Sequence, residues 1–250
     1  MIRNVLVMAK SGLVLFSKEF VNSVEQPRLV GSLLTAMVEY SKLYAGMQVS
    51  YVEMTNVAVT IVGNEATKVY CALFHDRQDG ATFGRLIASE MLNAFVEDYA
   101  NDLIVGTSLN LRDFRAFAYR LPDVVRKSVQ PVLQKLVGVK GILTSALVTE
   151  TSDVFQTTAD IDQLGLLANL QALTGLSTDI MAQVGNGCIS MSLESGSHSR
   201  ILLWRIEGWT LAIVVHKAAN RNRYQKHIDE ALGVLQKVCE LTSSLSLSTR

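Results

Sequence analysis

Ile2-Arg3-Asn4-Val5-Leu6-Val7-Met8-Ala9-Lys10-Ser11-Gly12-Leu13-Val14-Leu15-Phe16-Ser17-Lys18-Glu19-Phe20 reads as two strands, residues 2–9 and 13–20, joined by Lys10-Ser11-Gly12 at hairpin spacing. A helix follows. Pro27 suits its first turn, Leu29, Leu33, Leu34, Met37 and Tyr40 fall at helical spacing, and Gly46 stops it. Three further strands are expected at Gln48–Thr55, Val57–Val62 and Lys68–Phe74, broken by Asn56 and by Gly63-Asn64-Glu65. Asp79-Gly80 then leads into an amphipathic helix over Thr82–Asp102. Its inward stripe would be Phe83, Leu86, Ile87, Met91, Ala94, Phe95 and Tyr99. Residues 106–122 are less regular; Phe114, Phe117 and Tyr119 suggest a short helix or loop on the first core. Pro122 marks the boundary, because the residue before a proline is pushed out of helical geometry.

The second half has a similar order. A helix is expected over Asp123–Val137 with a possible kink at Pro131, then strands at Lys140–Thr149 and Val154–Thr158 around Thr151-Ser152-Asp153. A helix from about Ile161 to Val184 would be capped by the Asp160 carboxylate and ended by Gly185-Asn186-Gly187. Strands at Cys188–Glu194, Arg200–Ile206 and Trp209–His216 come next, turning at Ser195-Gly196-Ser197-His198 and Glu207-Gly208. A helix over Arg223–Leu241 and a Ser-rich tail close the chain. The expected fold is therefore α+β in two modules, 1–121 and 122–250. Each would carry a five-stranded antiparallel sheet in the order 2-1-5-4-3, set by the helical crossover, with helices covering one face.

Hydrophobic residues make up 49% of the 250 and charged residues 18%, enough apolar material for two cores. Lys plus Arg equals Asp plus Glu at 23 each, and neither half is basic, which argues against a phosphate backbone as ligand. Three scattered cysteines, Cys71, Cys188 and Cys239, argue against a disulfide framework. With no leader-like opening, no apolar run long enough to span a bilayer and no C-terminal cysteine, a cytoplasmic protein is expected.

Signals for catalysis are weak. There is no phosphate-loop pattern and no nucleophile elbow. His75, His198, His216 and His227 are solitary. Cys71 and His75 share one strand face but lack the further ligands zinc needs. Gly185-Asn186-Gly187 reads as a C-cap turn rather than an anion nest. Asp153, Asp160 and Asp162 lack the glycine and distant Glu of a calcium loop. No catalytic residue, metal or cofactor is expected.

The first module resembles the longin domain, through Met1-Ile2-Arg3-Asn4-Val5-Leu6-Val7, the hairpin to Leu13-Val14-Leu15-Phe16-Ser17, and the meander ending at Cys71-Ala72-Leu73-Phe74. The second resembles the roadblock fold, through Val139-Lys140-Gly141-Ile142-Leu143-Thr144-Ser145-Ala146-Leu147-Val148, the helix opening at Ile161-Asp162-Gln163-Leu164-Gly165-Leu166-Leu167, and Trp209-Thr210-Leu211-Ala212-Ile213-Val214-Val215. Profilin-, PAS- and GAF-like folds share the same ingredients. The resemblance implies a non-catalytic scaffold that binds or regulates small Ras-like GTPases within a trafficking, exchange-factor or tethering complex, paired with itself or with another longin or roadblock subunit. The PAS- or GAF-like alternative implies a small-ligand sensor.

Two surfaces are candidates for partners. Leu164, Leu166, Leu167, Leu170, Leu173 and Leu176 span more of a helix than one sheet contact needs, positions 164 and 166 lying about 160° apart. Roadblock-like proteins pair through this helix and its neighbouring edge strand, so the resemblance implies a dimer contact at Leu164, Leu167, Leu170 and Leu173, with simple burial within the chain as the alternative. Arg221, Arg223 and Lys226, with His227, put positive charge at a helix start, against the dipole, as an acidic partner or anionic surface would require. Asp229 and Glu230 could equally balance them as an ordinary solvated face.

Overall fold

The computed structural model describes residues 1–21, 26–105, 113–149, 153–157, 166–182, 190–194 and 198–248. They divide into two compact units, Met1–Ser128 with Leu241–Arg250, and Val129–Glu240.

In unit 1, β1 (Ile2–Ala9) and β2 (Val14–Glu19) form the expected hairpin. Gly12, at φ 86°, donates its N–H to Ala9 O, a backbone conformation that glycine adopts without a Cβ clash. Helix α1 (Pro27–Ala45) starts on Pro27 and ends at Gly46, at φ 63°, as the sequence indicates. The meander β3 (Tyr51–Glu53), β4 (Val57–Asn64) and β5 (Val69–Asp76) completes a sheet in the order β2-β1-β5-β4-β3. Its second turn falls later than expected. Asn64 Oδ1 accepts the Ala66 and Thr67 N–H groups, while Gly63 stays in the strand beneath the ring of its cross-strand partner Tyr70.

Helices cover both faces of this sheet, not the single face expected. One face, with Leu6, Met8, Val14, Val59, Ile61, Ala72 and Phe74, packs on Leu34 and Val38 of α1. The other carries Val5, Val7, Cys71, Leu73 and His75, and α2 (Gly80–Val105) packs on β4 and β5 through Phe83, Ile87, Met91 and Phe95. Strands wanted on two sides must be apolar at consecutive positions rather than alternate ones, which is why Val5–Met8 and Val69–Phe74 run unbroken. Helix α2 bends at Tyr99, whose φ and ψ (−122°, 20°) leave the helical region. A 3-10 turn at Arg115–Tyr119 and α3 (Leu121–Lys127) follow, and Arg120 holds Asp98 through two hydrogen bonds of 3.1 and 3.3 Å.

The expected single helix over Asp123–Val137 is two. The chain breaks at Ser128, which is buried and turns its hydroxyl onto Val125 O at 2.6 Å, before α4 (Val129–Val137) begins. Pro122 falls in the first turn of α3, whereas Pro131 has no N–H to give Lys127 O and its ring crowds that carbonyl, so the expected kink appears as the break at Ser128, three residues before it.

In unit 2, β6 (Ile142–Val148), β7 (Val154–Gln156), β8 (Ser190–Glu194), β9 (Ser199–Ile206) and β10 (Trp209–His216) order as β7-β6-β10-β9-β8, the counterpart of the first sheet. Helix α4 meets the Ser145 side, where that hydroxyl donates to Leu133 O. The opposite face, Ala146, Val148, Leu203 and Ala212, lies on the side of α5 (Leu166–Ala182), whose Thr178 hydroxyl accepts from Arg205 at 2.8 Å. Helix α6 runs over Arg221–Ser248. The Asp160 cap, the glycine run 185–187, Cys188 and the turn 195–197 lie outside the described residues.

Burial gives the first sheet one titrating element. His75 is fully buried, its Nδ1–H donates to Asp76 O at 3.0 Å, and Nε2 accepts from the Thr60 hydroxyl at 2.9 Å. Gly84 of α2 sits against this pair, where a Cβ would overlap both side chains. Desolvation holds the His75 pKa below its ordinary value, against smaller opposing effects from Asp76 O and Asp79. A depressed folded-state pKa means the unfolded chain takes the proton first. The stability of the neutral ring is therefore complete above about pH 6.5 and is lost as pH falls from there towards the folded pKa. Urea midpoints should decline across that window in the native chain. In His75→Gln this part of the slope should vanish; an identical slope in both contradicts the assignment.

Candidate functional site

Helix α1 carries two apolar stripes, and the sheet uses only one. Gly31, Leu34, Thr35 and Val38 face inward. Gly31 permits the approach to β2, since a Cβ there would lie 2.7 Å from Val14 Cγ2. Of the five apolar residues that the sequence places at helical spacing, only Leu34 is buried. Leu29 (65% exposed), Leu33 (60%), Met37 (37%) and Tyr40 (66%) face outward, and Tyr44 (71%), Leu43 and Met47 extend them. The steps 29, 33, 37, 40, 44 are the i+4 and i+3 spacings of a continuous ridge, and the rings of Tyr40 and Tyr44 meet at 4.7 Å.

The charges beside this ridge are tied back to the sheet and its turns. Glu39 accepts from the Tyr70 hydroxyl at 2.8 Å and pairs with Lys10 at 3.0 Å, and those two hydrogen bonds hold its carboxyl below the usual range. Lys42 pairs with Glu65 at 2.6 Å. The ridge residues themselves, Leu29, Leu33, Met37, Tyr40 and Tyr44, are aliphatic or aromatic. Each such side chain is worth about 1.5–3 kcal/mol when fully buried, and contiguous patches of this kind are uncommon on proteins that work alone. The short edge strand β3 follows α1 in the chain and pairs only with β4 among the described residues.

The residues proposed from sequence are only partly gathered here. Leu164 lies outside the described residues; Leu167 and Leu170 are on α5, but their side chains are outside the description. Leu173 is half-buried, while Leu176 (66%) and Ile180 (57%) stand exposed on the same helix. Arg221, Arg223 and Lys226 are exposed in the first turns of α6, and Arg221 Nε donates to Gln225 at 3.1 Å. The outward ridge of α1 was missed. Its signal was available, because Leu29 and Leu34 lie about 140° apart around the helix, more than one sheet contact needs, the same circumference argument applied to the leucines of α5.

Chemistry of bond-making is hard to place. The Cys71 thiol is pushed up to about 12 by burial, so it stays protonated and unreactive at neutral pH. His75 is held between Thr60 and Asp76 O with no access to solvent. Among the described residues no three His, Cys, Asp or Glu side chains are grouped to hold a metal, and no helix is long and apolar enough to cross a membrane.

The strand order defines the chain as a two-module α+β protein built on two antiparallel five-stranded sheets with flanking helices. No family model and no curated protein matches the sequence. Solved structures that it is similar to include Myxococcus xanthus MglB (14% identity, TM-score 0.42, 46% of this chain and 89% of that one). Others are a Roadblock/LC7 domain from Streptomyces avermitilis (14%, 0.40, 44% and 97%) and the gliding protein MglB from Thermus thermophilus (14%, 0.40, 46% and 91%). Likenesses this distant leave the fold resting on the strand order itself.

Proposed function

We propose that the chain is a non-catalytic interaction scaffold that pairs through α1 and β3, with a second copy or a like subunit, and so builds a platform for small Ras-like GTPases. The observation that carries this is the ridge Leu29–Leu33–Met37–Tyr40–Tyr44, exposed among the described residues, in a unit whose edge strand β3 pairs only with β4 among them. The resemblance of the first module to longin domains and of the second to roadblock domains supports the GTPase as client. Such a platform acts by reshaping a partner's switch loops and needs no reactive side chain of its own. A role in trafficking, exchange-factor or tethering complexes in the cytoplasm belongs to the same reading.

The test is retention of Rab-, Arf- and Rag-type GTPases on the immobilised full chain, each loaded in turn with GDP and with a non-hydrolysable GTP analogue. Retention of one class, stronger in one nucleotide state, is the expected result. Equal failure in every state removes the GTPase from the account.

A further inference from the structure

Unit 2 holds a cavity whose lining does not suit a simple helix–sheet contact. Strands β8 and β9 pair as Ser190↔Trp204, Ser192↔Leu202 and Glu194↔Arg200, so the period of two puts these six side chains on one face. Over that face runs the start of α6, whose Arg221, Tyr224 and Gln225 fall at i, i+3 and i+4. Between them is a cavity of about 170 Å³ lined by Ser190, Ser192, Arg200, Leu202, Trp204 and Arg221, with Met191, Tyr224 and Gln225 completing the wall. Two guanidinium groups and two serine hydroxyls line it, and among the described residues no carboxylate does.

The charges around it are only partly balanced. Glu194 pairs with Arg200 Nη2 at 2.5 Å, but Glu194 is half exposed and shares its charge with Lys217 at 3.9 Å. Arg200 Nε is shut off from solvent and has no hydrogen-bond partner among the described residues, and a buried donor without an acceptor costs about 1–3 kcal/mol. Arg221 engages Gln225 through its Nε, on the same helix. The first turn of α6 contains no acidic residue, so the helix supplies no internal anion to its own positive end. Guanidinium donors from a strand and from a helix, converging on a recess with hydroxyls and an indole, are the components of an oxyanion site.

We infer that this cavity binds a small soluble oxyanion, a phosphate monoester or a carboxylate. Its charged end meets Arg200 and Arg221, and its flat apolar body lies against Trp204 and Leu202. The inference does not rest on the α1 ridge or on any GTPase. Of the three residues of the basic cluster, it gives Arg221 a role separate from those of Arg223 and Lys226, which do not line the cavity.

The full chain is titrated calorimetrically, and by tryptophan fluorescence, with phenyl phosphate, benzoate and inorganic phosphate, each against chloride at equal ionic strength. The expected result is saturable binding of one equivalent of phenyl phosphate or benzoate with a change in Trp204 emission, and weaker binding of inorganic phosphate, which lacks the apolar body. Arg221→Met and Arg200→Met should each weaken binding by about tenfold or more. Arg223→Met, which removes the same charge outside the cavity, should leave it unchanged. Arg221→Lys keeps the charge at an exposed position without the planar donors and should still lose most of the affinity. Thermal melts matching the native chain establish that the variants fold. Absence of saturable binding for all three probes overturns the site, as does equal loss in Arg221→Met and Arg223→Met, which would mean diffuse charge attraction. Equal affinity for phenyl phosphate and inorganic phosphate overturns the aromatic contact.

Discussion

Phe95→Ala is expected to destabilise unit 1 by about 3–5 kcal/mol, seen as a fall in the denaturant midpoint of the full chain. Phe95 is fully buried, and its ring meets those of Tyr99 at 5.0 Å, Phe117 at 5.1 Å, Phe114 at 5.3 Å and Phe16 at 6.5 Å. The loss has three parts: transfer of the ring, the void left behind, and the edge-on contact with Phe117, which adds about 0.5–1.5 kcal/mol beyond burial. Collapse into the void is restricted because the surrounding rings are placed by different segments, β2, the bend of α2 at Tyr99 and the turn at residues 114–117. A domain of this size has only about 5–15 kcal/mol to lose. Phe95→Leu, which keeps most of the volume, should cost markedly less. A change below about 1 kcal/mol in Phe95→Ala would mean that the aromatic cluster is not a closed core.

Leu33→Glu combined with Tyr40→Glu is expected to leave folding within about 0.5 kcal/mol per substitution while removing about 2–4 kcal/mol of association free energy, a roughly 30- to 1000-fold weakening. Leu34→Ala, one residue away, should do the reverse. Leu34 is 2% exposed in the core under α1, so its truncation costs about 2–5 kcal/mol of stability and should affect association only through folding. Opposite responses at adjacent positions separate an outward anchor from a core residue more sharply than either measurement alone. Chemical denaturation gives the first quantity and sedimentation equilibrium the second. If Leu33→Glu proves as destabilising as Leu34→Ala, the ridge is packed within the chain.

The strand order of both sheets was legible because the hairpin at Lys10-Ser11-Gly12, the helix between Pro27 and Gly46, and the meander each carry strong local punctuation. The two-sided covering was legible in principle, since Val5-Leu6-Val7-Met8 and Val69-Tyr70-Cys71-Ala72-Leu73-Phe74 do not alternate, but a one-faced sheet was expected all the same. The break at Ser128 was legible as a kink at Pro131, but its position was not, since the hydroxyl bond to Val125 O that accompanies it depends on local geometry. Element ends shifted too: β3 keeps only Tyr51–Glu53 of the longer run expected, although its neighbour β4 continues to Asn64.

The surfaces divide in the same way. The outward ridge of α1 could be read from the arc that its apolar residues span, whereas Arg200 and Arg221 come together only through the register of β8 with β9 and the docking of α6. Charge clustering in sequence drew Arg221, Arg223 and Lys226 as one group. Structure separates Arg221 from the other two, because only it lines the recess.

Sedimentation velocity of the purified chain, alone and with a candidate like subunit, across about 0.1–50 μM probes the α1 ridge most directly, a range that brackets micromolar association. The native chain should sediment as a complex of two subunits at the upper end, and the Leu33→Glu, Tyr40→Glu variant as a folded single chain throughout. A native chain that stays single at every concentration and with every such subunit, or a variant that assembles as well as the native chain, would contradict the account.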